Sequence, residues 1–130
     1  MHNRSVTIQI ERNGHSPTVR KDISAEDVAE VVRGLESDSD VTVTISREGT
    51  DDRVMVAVNG PMAFLGRDSP DGLSQYVAHE NDDRTRSFTV GGQEADIESR
   101  YILSLGTAAD VVQEWLRGDE ESSSGTWERQ

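Results

Sequence analysis

The side chains in this sequence most able to do chemistry are carboxylates. Asp51/Asp52 and Asp82/Asp83 are adjacent pairs, and Glu94, Asp96 and Glu98 alternate along one segment. Two carboxyl groups flanking a scissile bond make a glycosidase-type acid and base, provided a cleft raises the pKa of one of them. All three groups sit in polar stretches, where acids stay solvated and ionised. The histidines, His2, His15 and His79, lie far apart in sequence and no cysteine is present, so a metal centre has neither ligand spacing nor thiolate. His79, beside Glu80, reads as a solvated residue at a strand end. No serine stands in a GxSxG elbow, and "VGGQ" is a glycine pair with no helix behind it, a turn rather than a phosphate loop. The expectation is no enzyme: no catalytic residue, no metal and no cofactor. A small carboxylate-dependent hydrolase is the remaining enzymatic alternative.

The same acids can bind instead of react. The 130 residues carry 25 Asp and Glu against 13 Lys and Arg, a formal net charge of -12. Residues 1–35 balance five acids against five bases, so the whole excess lies in 36–130. Such a surface repels nucleic acid and anionic lipid, and it draws in a basic protein. The candidate partner-binding residues are Asp51, Asp52, Asp68, Asp71, Glu80, Asp82, Asp83, Glu94, Asp96, Glu98, Trp127 and Glu128. On a strand, 94, 96 and 98 point to one side and form a row of three carboxylates.

These residues need a scaffold. Hydrophobic content is 33%, arranged in regular periods, which suits one folded domain over 1–130. "SVTIQI", "DVTVTIS", "RVMVAV", "PMAFLG", "LSQYVAH" and "TRSFTV" carry strand patterning. They are joined by "GHSP", "REGTDD", the Asn59-Gly60 turn signal, "SPDG" and "HENDDR", and "GG" turns the chain into "QEADI". "TRSFTV" is expected as a fifth strand of the antiparallel sheet built by its predecessors. Pro61 belongs at a strand start or an edge.

Two segments read as amphipathic helices. The first is predicted over 25–36, capped by Ser24 with Asp27 three residues on. The second is predicted over 107–117, capped by Thr107 with Asp110 answering. Its stripe is Ala108, Val111, Val112, Trp115 and Leu116, and Gly118 supplies the left-handed stop. A short acidic and serine-rich link, 119–125, precedes a terminal tryptophan segment. The fold class is α+β, mainly antiparallel sheet packed with two helices. No apolar run reaches the roughly 18 residues of a membrane span, and "MHNRSVTIQIERNG" lacks a signal-peptide core, so a cytoplasmic, monomeric protein is expected.

The C-terminal third, "SRYILSLGTAADVVQEWLRGDEESSSGTWE", resembles the Imm1 family of immunity proteins from bacterial polymorphic toxin systems. The shared pattern is an apolar strand ("YILSL"), a capped helix ("TAADVVQEWL"), Gly118, a short link and the pair Trp127-Glu128. "RSFTVGGQEADIE" also looks like the family's strand-glycine-acid segment. The link here is "ESSSG", where relatives often carry a proline. The resemblance implies a cytoplasmic protein that binds and blocks a cognate toxin domain, often a nucleic-acid-targeting one of the deaminase type. The alternative is a regulatory or scaffold protein for a basic partner. For Trp127, the expectation is that the chain folds back after the second helix and adds "GTWE" as a last strand, with the ring packed inward.

Overall fold

The computed structural model describes residues 5–78, 85–118 and 125–130. Its elements are β1 (Val6–Arg12), β2 (Thr18–Lys21), α1 (Ala25–Arg33), β3 (Ser39–Arg47), β4 (Arg53–Asn59), β5 (Met62–Ser69), β6 (Gly72–Ala78), β7 (Thr85–Val90), β8 (Gln93–Glu98), β9 (Leu103–Ser104), α2 (Leu105–Leu116) and β10 (Gly125–Arg129). A single 3-10 turn, Ser99–Tyr101, precedes β9. The expected turn "HENDDR" and the link 119–124 lie outside the described residues.

The main sheet is antiparallel, in the order β10-β6-β5-β4-β3-β1-β2, with β9 pairing the start of β5. Alternation decides its faces. Ile8, Ile10, Val41, Val43, Ile45, Val54, Val56, Val58, Ala63, Leu65 and Tyr76 are buried together on one face, and α1 and α2 close over them. At about 1.5–3 kcal/mol for each fully buried Val, Leu or Ile, this layer supplies most of the drive to fold. Two ion pairs tie the antiparallel helices to each other, Arg33 to Asp110 and Arg117 to Glu26.

The helices start and stop on local chemistry. Ser24 Oγ accepts from the Asp27 backbone N–H, as the sequence implies. The first helix stops at Arg33, three residues short of the predicted end, because Gly34 closes the last turn and Leu35 folds into the core. The second begins two residues earlier than predicted. Its cap is Ser104, whose Oγ accepts from the Thr107 N–H, so Thr107 is a first-turn residue and not the cap. Gly118 follows the helix at φ +95°, the expected left-handed stop. Arg47 holds the same helix end, donating to the Trp115 carbonyl and lying 4.3 Å above the Trp115 ring.

One strand was not foreseen and one expectation changes. Thr18–Lys21, which has no alternating apolar pattern, pairs with β1 as a fully exposed edge strand. The segment Thr85–Val90 does not join the main sheet. It pairs only with β8, in a separate two-stranded ribbon. The ribbon crosses the face of the sheet opposite the helices and has its own small core. There Phe88, Ala57 and Ile102 are buried with Met62, Phe64 and Ile97 against them, and Phe64 meets Phe88 edge-on at 5.0 Å. One buried aromatic, Phe88, is the main anchor that seats the ribbon on the sheet. Between β4 and β5 the tight turn uses Gly60 (φ +61°) and Pro61, with Asn59 as the last paired residue opposite Met62. Pro61 therefore stands just ahead of a strand, outside the ladder.

The terminal segment folds back. Gly125–Arg129 pairs antiparallel with β6, placing Trp127 opposite Tyr76. Their rings meet edge-on at 5.3 Å, and Trp127 packs against the main core, partly buried.

Candidate partner-binding surface

The loop acids come together at one end of the sheet but arrive with their own cations. Asp51, Asp52 and Asp68 line a shallow depression of about 290 Å³ with Ser46, Thr50, Arg53 and Ser69. Asp52 takes a bidentate pair from Arg67, Nε to Oδ1 and Nη2 to Oδ2, both 2.9 Å, with both side chains largely covered. Asp68 pairs with Arg53 at 3.0 Å. Two of the three carboxylates are thus neutralised within the chain, and the fork geometry makes the Asp52–Arg67 pair a structural brace. Asp71 stands at the next turn, where its backbone carbonyl accepts from Arg129. Glu80, Asp82 and Asp83 lie outside the described residues. Among the described residues no three His, Asp or Glu side chains group as a metal site.

The acids on β8 are arranged differently. The two-residue turn Gly91–Gly92 sets the ribbon register: Thr89 opposite Glu94, Ser87 opposite Asp96, Thr85 opposite Glu98. Directly opposed residues share a face. Phe88, opposite Ala95, points into the small core, so Glu94, Asp96 and Glu98 point away from it, and all three are exposed. Ser87 Oγ donates to Glu94. Among the described residues, neither Glu94 nor Asp96 has an ion-pair partner, and Glu98 shares Arg100 at 3.6 Å. Exposed carboxylates also occur on α1, on α2 and in the sheet-end loops, so the chain is acidic on several sides. The β8 row stands out because it is regular and, among the described residues, two of its three carboxylates lack counter-ions.

Arg100 continues the row toward the C-terminus. Its guanidinium lies 3.3 Å from Glu128, donates to Tyr101 Oη at 2.6 Å and stacks 4.5 Å above the Tyr101 ring. Tyr101 Oη in turn donates to Glu128 at 3.2 Å. Burial raises the Tyr101 pKa above the ordinary 10.0, and the charges of Glu128 and Glu98 push the same way while Arg100 opposes them. Because β10 alternates, Glu128 belongs to this outer cluster while its neighbour Trp127 faces the helices.

Two residues hold the ribbon in place: Asp40, which the sequence did not single out, and Asn59, which it marked only as a turn residue. Asp40 has φ +54°, at an irregularity in the β3–β4 pairing between Ser39 and Val41. Its Oδ1 accepts from the Gly91 N–H and its Oδ2 from the Gly92 N–H, each at 2.7 Å. Asn59 imitates a strand: its Nδ2 donates to the Thr89 carbonyl at 2.7 Å, and its Oδ1 accepts from the Thr89 N–H at 2.8 Å. The ribbon is therefore fixed to the sheet by side chains where a fifth strand would have used a backbone ladder. The one sequence signal was the glycine pair itself, two adjacent amides at a turn that need an acceptor. Compared with protein-family models the chain matches none, and no curated protein matches it.

Proposed function

We propose that this chain is an immunity-type inhibitor. It binds a basic toxin domain, of the nucleic-acid-targeting, deaminase class, and covers its active-site face without catalysis. The observation that carries the reading is the outward row Glu94, Asp96 and Glu98, regular in spacing and, among the described residues, lacking counter-ions at two of its three positions. A toxin that grips nucleic acid surrounds its cleft with Lys and Arg. A rigid acidic ribbon competes for those cations and repels the substrate. Glu128 extends the row across Arg100. No helix among the described residues is long and apolar enough to cross a membrane, and the inhibitor acts in the cytoplasm of the producing cell as a monomer. The resemblance of residues 85–128 to Imm1 proteins supports the same role.

The test is co-expression with a basic, nucleic-acid-targeting toxin domain, sought first in the gene adjoining the one for this chain. Rescued growth, lost when Glu94, Asp96 and Glu98 are changed together to Gln, Asn and Gln, is the expected result. Failure to rescue, or rescue indifferent to the triple change, refutes it. Binding to a basic host protein with no toxin beside the gene would instead favour a scaffold role.

A further inference from the structure

Thr89 spends its backbone N–H and C=O on Asn59, which fixes where every other backbone group of the ribbon points. In an antiparallel pair, residues alternate between those bonded across the ladder and those whose N–H and C=O turn outward. Thr89 is outward, so its opposite residue Glu94 is outward on the other side. The alternation carries this to Asp96 and Glu98. A two-residue turn gives the same result independently, since its flanking pair, Val90 and Gln93, is the bonded one. The three residues whose carboxylates form the outward row thus also present their main-chain donors and acceptors along the open edge of β8. Among the described residues no backbone bond from another element reaches that edge.

We infer that β8 accepts an added strand: an extended segment of a partner protein, with Lys or Arg at every second position, pairs with the main-chain groups of Glu94, Asp96 and Glu98. This rests on the proposed acidic-face reading and specifies its geometry. Strands lie about 4.8 Å apart, and side chains directly opposite each other share a face. A basic residue opposite each acid is then in ion-pair reach while the backbones form a ladder, the recognition mode of strand addition. Charge selects the occupant. A second copy of this chain would set acid against acid along the same edge, which like-charge repulsion disfavours. By contrast an edge strand of the main sheet, β2, carries Arg20 and Lys21 on four residues.

Amide exchange of the intact chain tests this, using as probe a synthetic peptide of alternating Thr and Lys, about eight residues long, the usual strand length. Strand addition slows exchange of the Glu94, Asp96 and Glu98 amides by roughly tenfold or more, because they gain partners. The Ala95 and Ile97 amides, already in the ribbon ladder, barely change. A matched peptide N-methylated on the amides that face β8 keeps its charge and loses the ladder, so it is expected to give no protection. In the chain, Asp96→Pro removes an outward N–H that the ribbon does not use and abolishes binding, whereas Asp96→Asn retains it in part. Equal binding of the two peptides, or binding without protection of those three amides, overturns strand addition and leaves the charge reading standing. No binding of either peptide at low salt overturns it as well, and co-expression with the toxin then judges the acidic face separately.

Discussion

Changing Asp40 to alanine should loosen the ribbon, and the structure sets the size of the effect. Two backbone N–H bonds to a partly exposed carboxylate are lost, each worth about 1 kcal/mol net, since water replaces them in part. Alanine must also adopt φ +54°, a left-handed geometry that costs a residue with a Cβ roughly 1 kcal/mol and that Asp tolerates better. The total is about 2–3 kcal/mol, or a fall in Tm of roughly 8–12 °C for a domain of this size. Asp40→Gly separates the two parts. It loses the bonds but sheds the backbone cost, so its loss is expected to be smaller by roughly 1 kcal/mol. Thermal melts followed by circular dichroism measure both, and amide exchange should place the loosening in Thr85–Glu98. An Asp40→Ala melt within about 2 °C of the parent would refute the clamp, as would a glycine variant less stable than the alanine one.

Other consequences follow from the same contacts. Trp127→Ala, which empties a partly buried site against Tyr76, should cost about 2–3 kcal/mol in a denaturant titration; an unchanged midpoint with lost toxin binding would place the ring at an interface instead. The Tyr101 phenol should titrate above 10.0 by phenolate absorbance. Its folded-state pKa is raised, so its contribution is fully present below pH 10 and is lost as pH climbs through the folded value; Tyr101→Phe should remove that decline. The hydrogen bond from Arg117, helped by one from the backbone of Glu26 itself, lowers the Glu26 pKa below 4.5. That contribution is present above the ordinary carboxylate value and is lost as pH falls through the folded one, and Arg117→Gln should move the Glu26 carboxyl resonance midpoint upward.

Much of the fold was legible because burial writes a period into sequence. Val41, Val43 and Ile45 against Val54, Val56 and Val58 announce two strands with a common buried face, and the stripe from Ala108 to Leu116 announces a helix. The terminal "GTWE" strand was legible too, since a tryptophan at a chain end needs somewhere to go. What could not be read was partnership across the sheet. Nothing in "TRSFTV" says that Phe88 packs on Phe64 and not into the main core, so the ribbon was expected as one more strand. Edge strand β2 carries no buried face and leaves no period. The candidate surface divided the same way. Strand alternation alone put Glu94, Asp96 and Glu98 on one side. That Asp52 and Asp68 are spent on Arg67 and Arg53 depends on strand register, which sequence spacing does not encode. Asp40 and Asn59 look like ordinary turn residues until the backbone they hold, Gly91–Gly92 for one and Thr89 for the other, is brought beside them.

On the proposed function, the carboxylates of β8 draw in and hold a basic partner. The association rate with a toxin domain that this chain protects against, followed across a salt series from about 50 to 500 mM, measures this for the parent and for its Glu94→Gln, Asp96→Asn, Glu98→Gln variant. The parent is expected to slow by roughly tenfold or more over the series, and the variant to start slow and change little. Equal rates for the two proteins at low salt would contradict it.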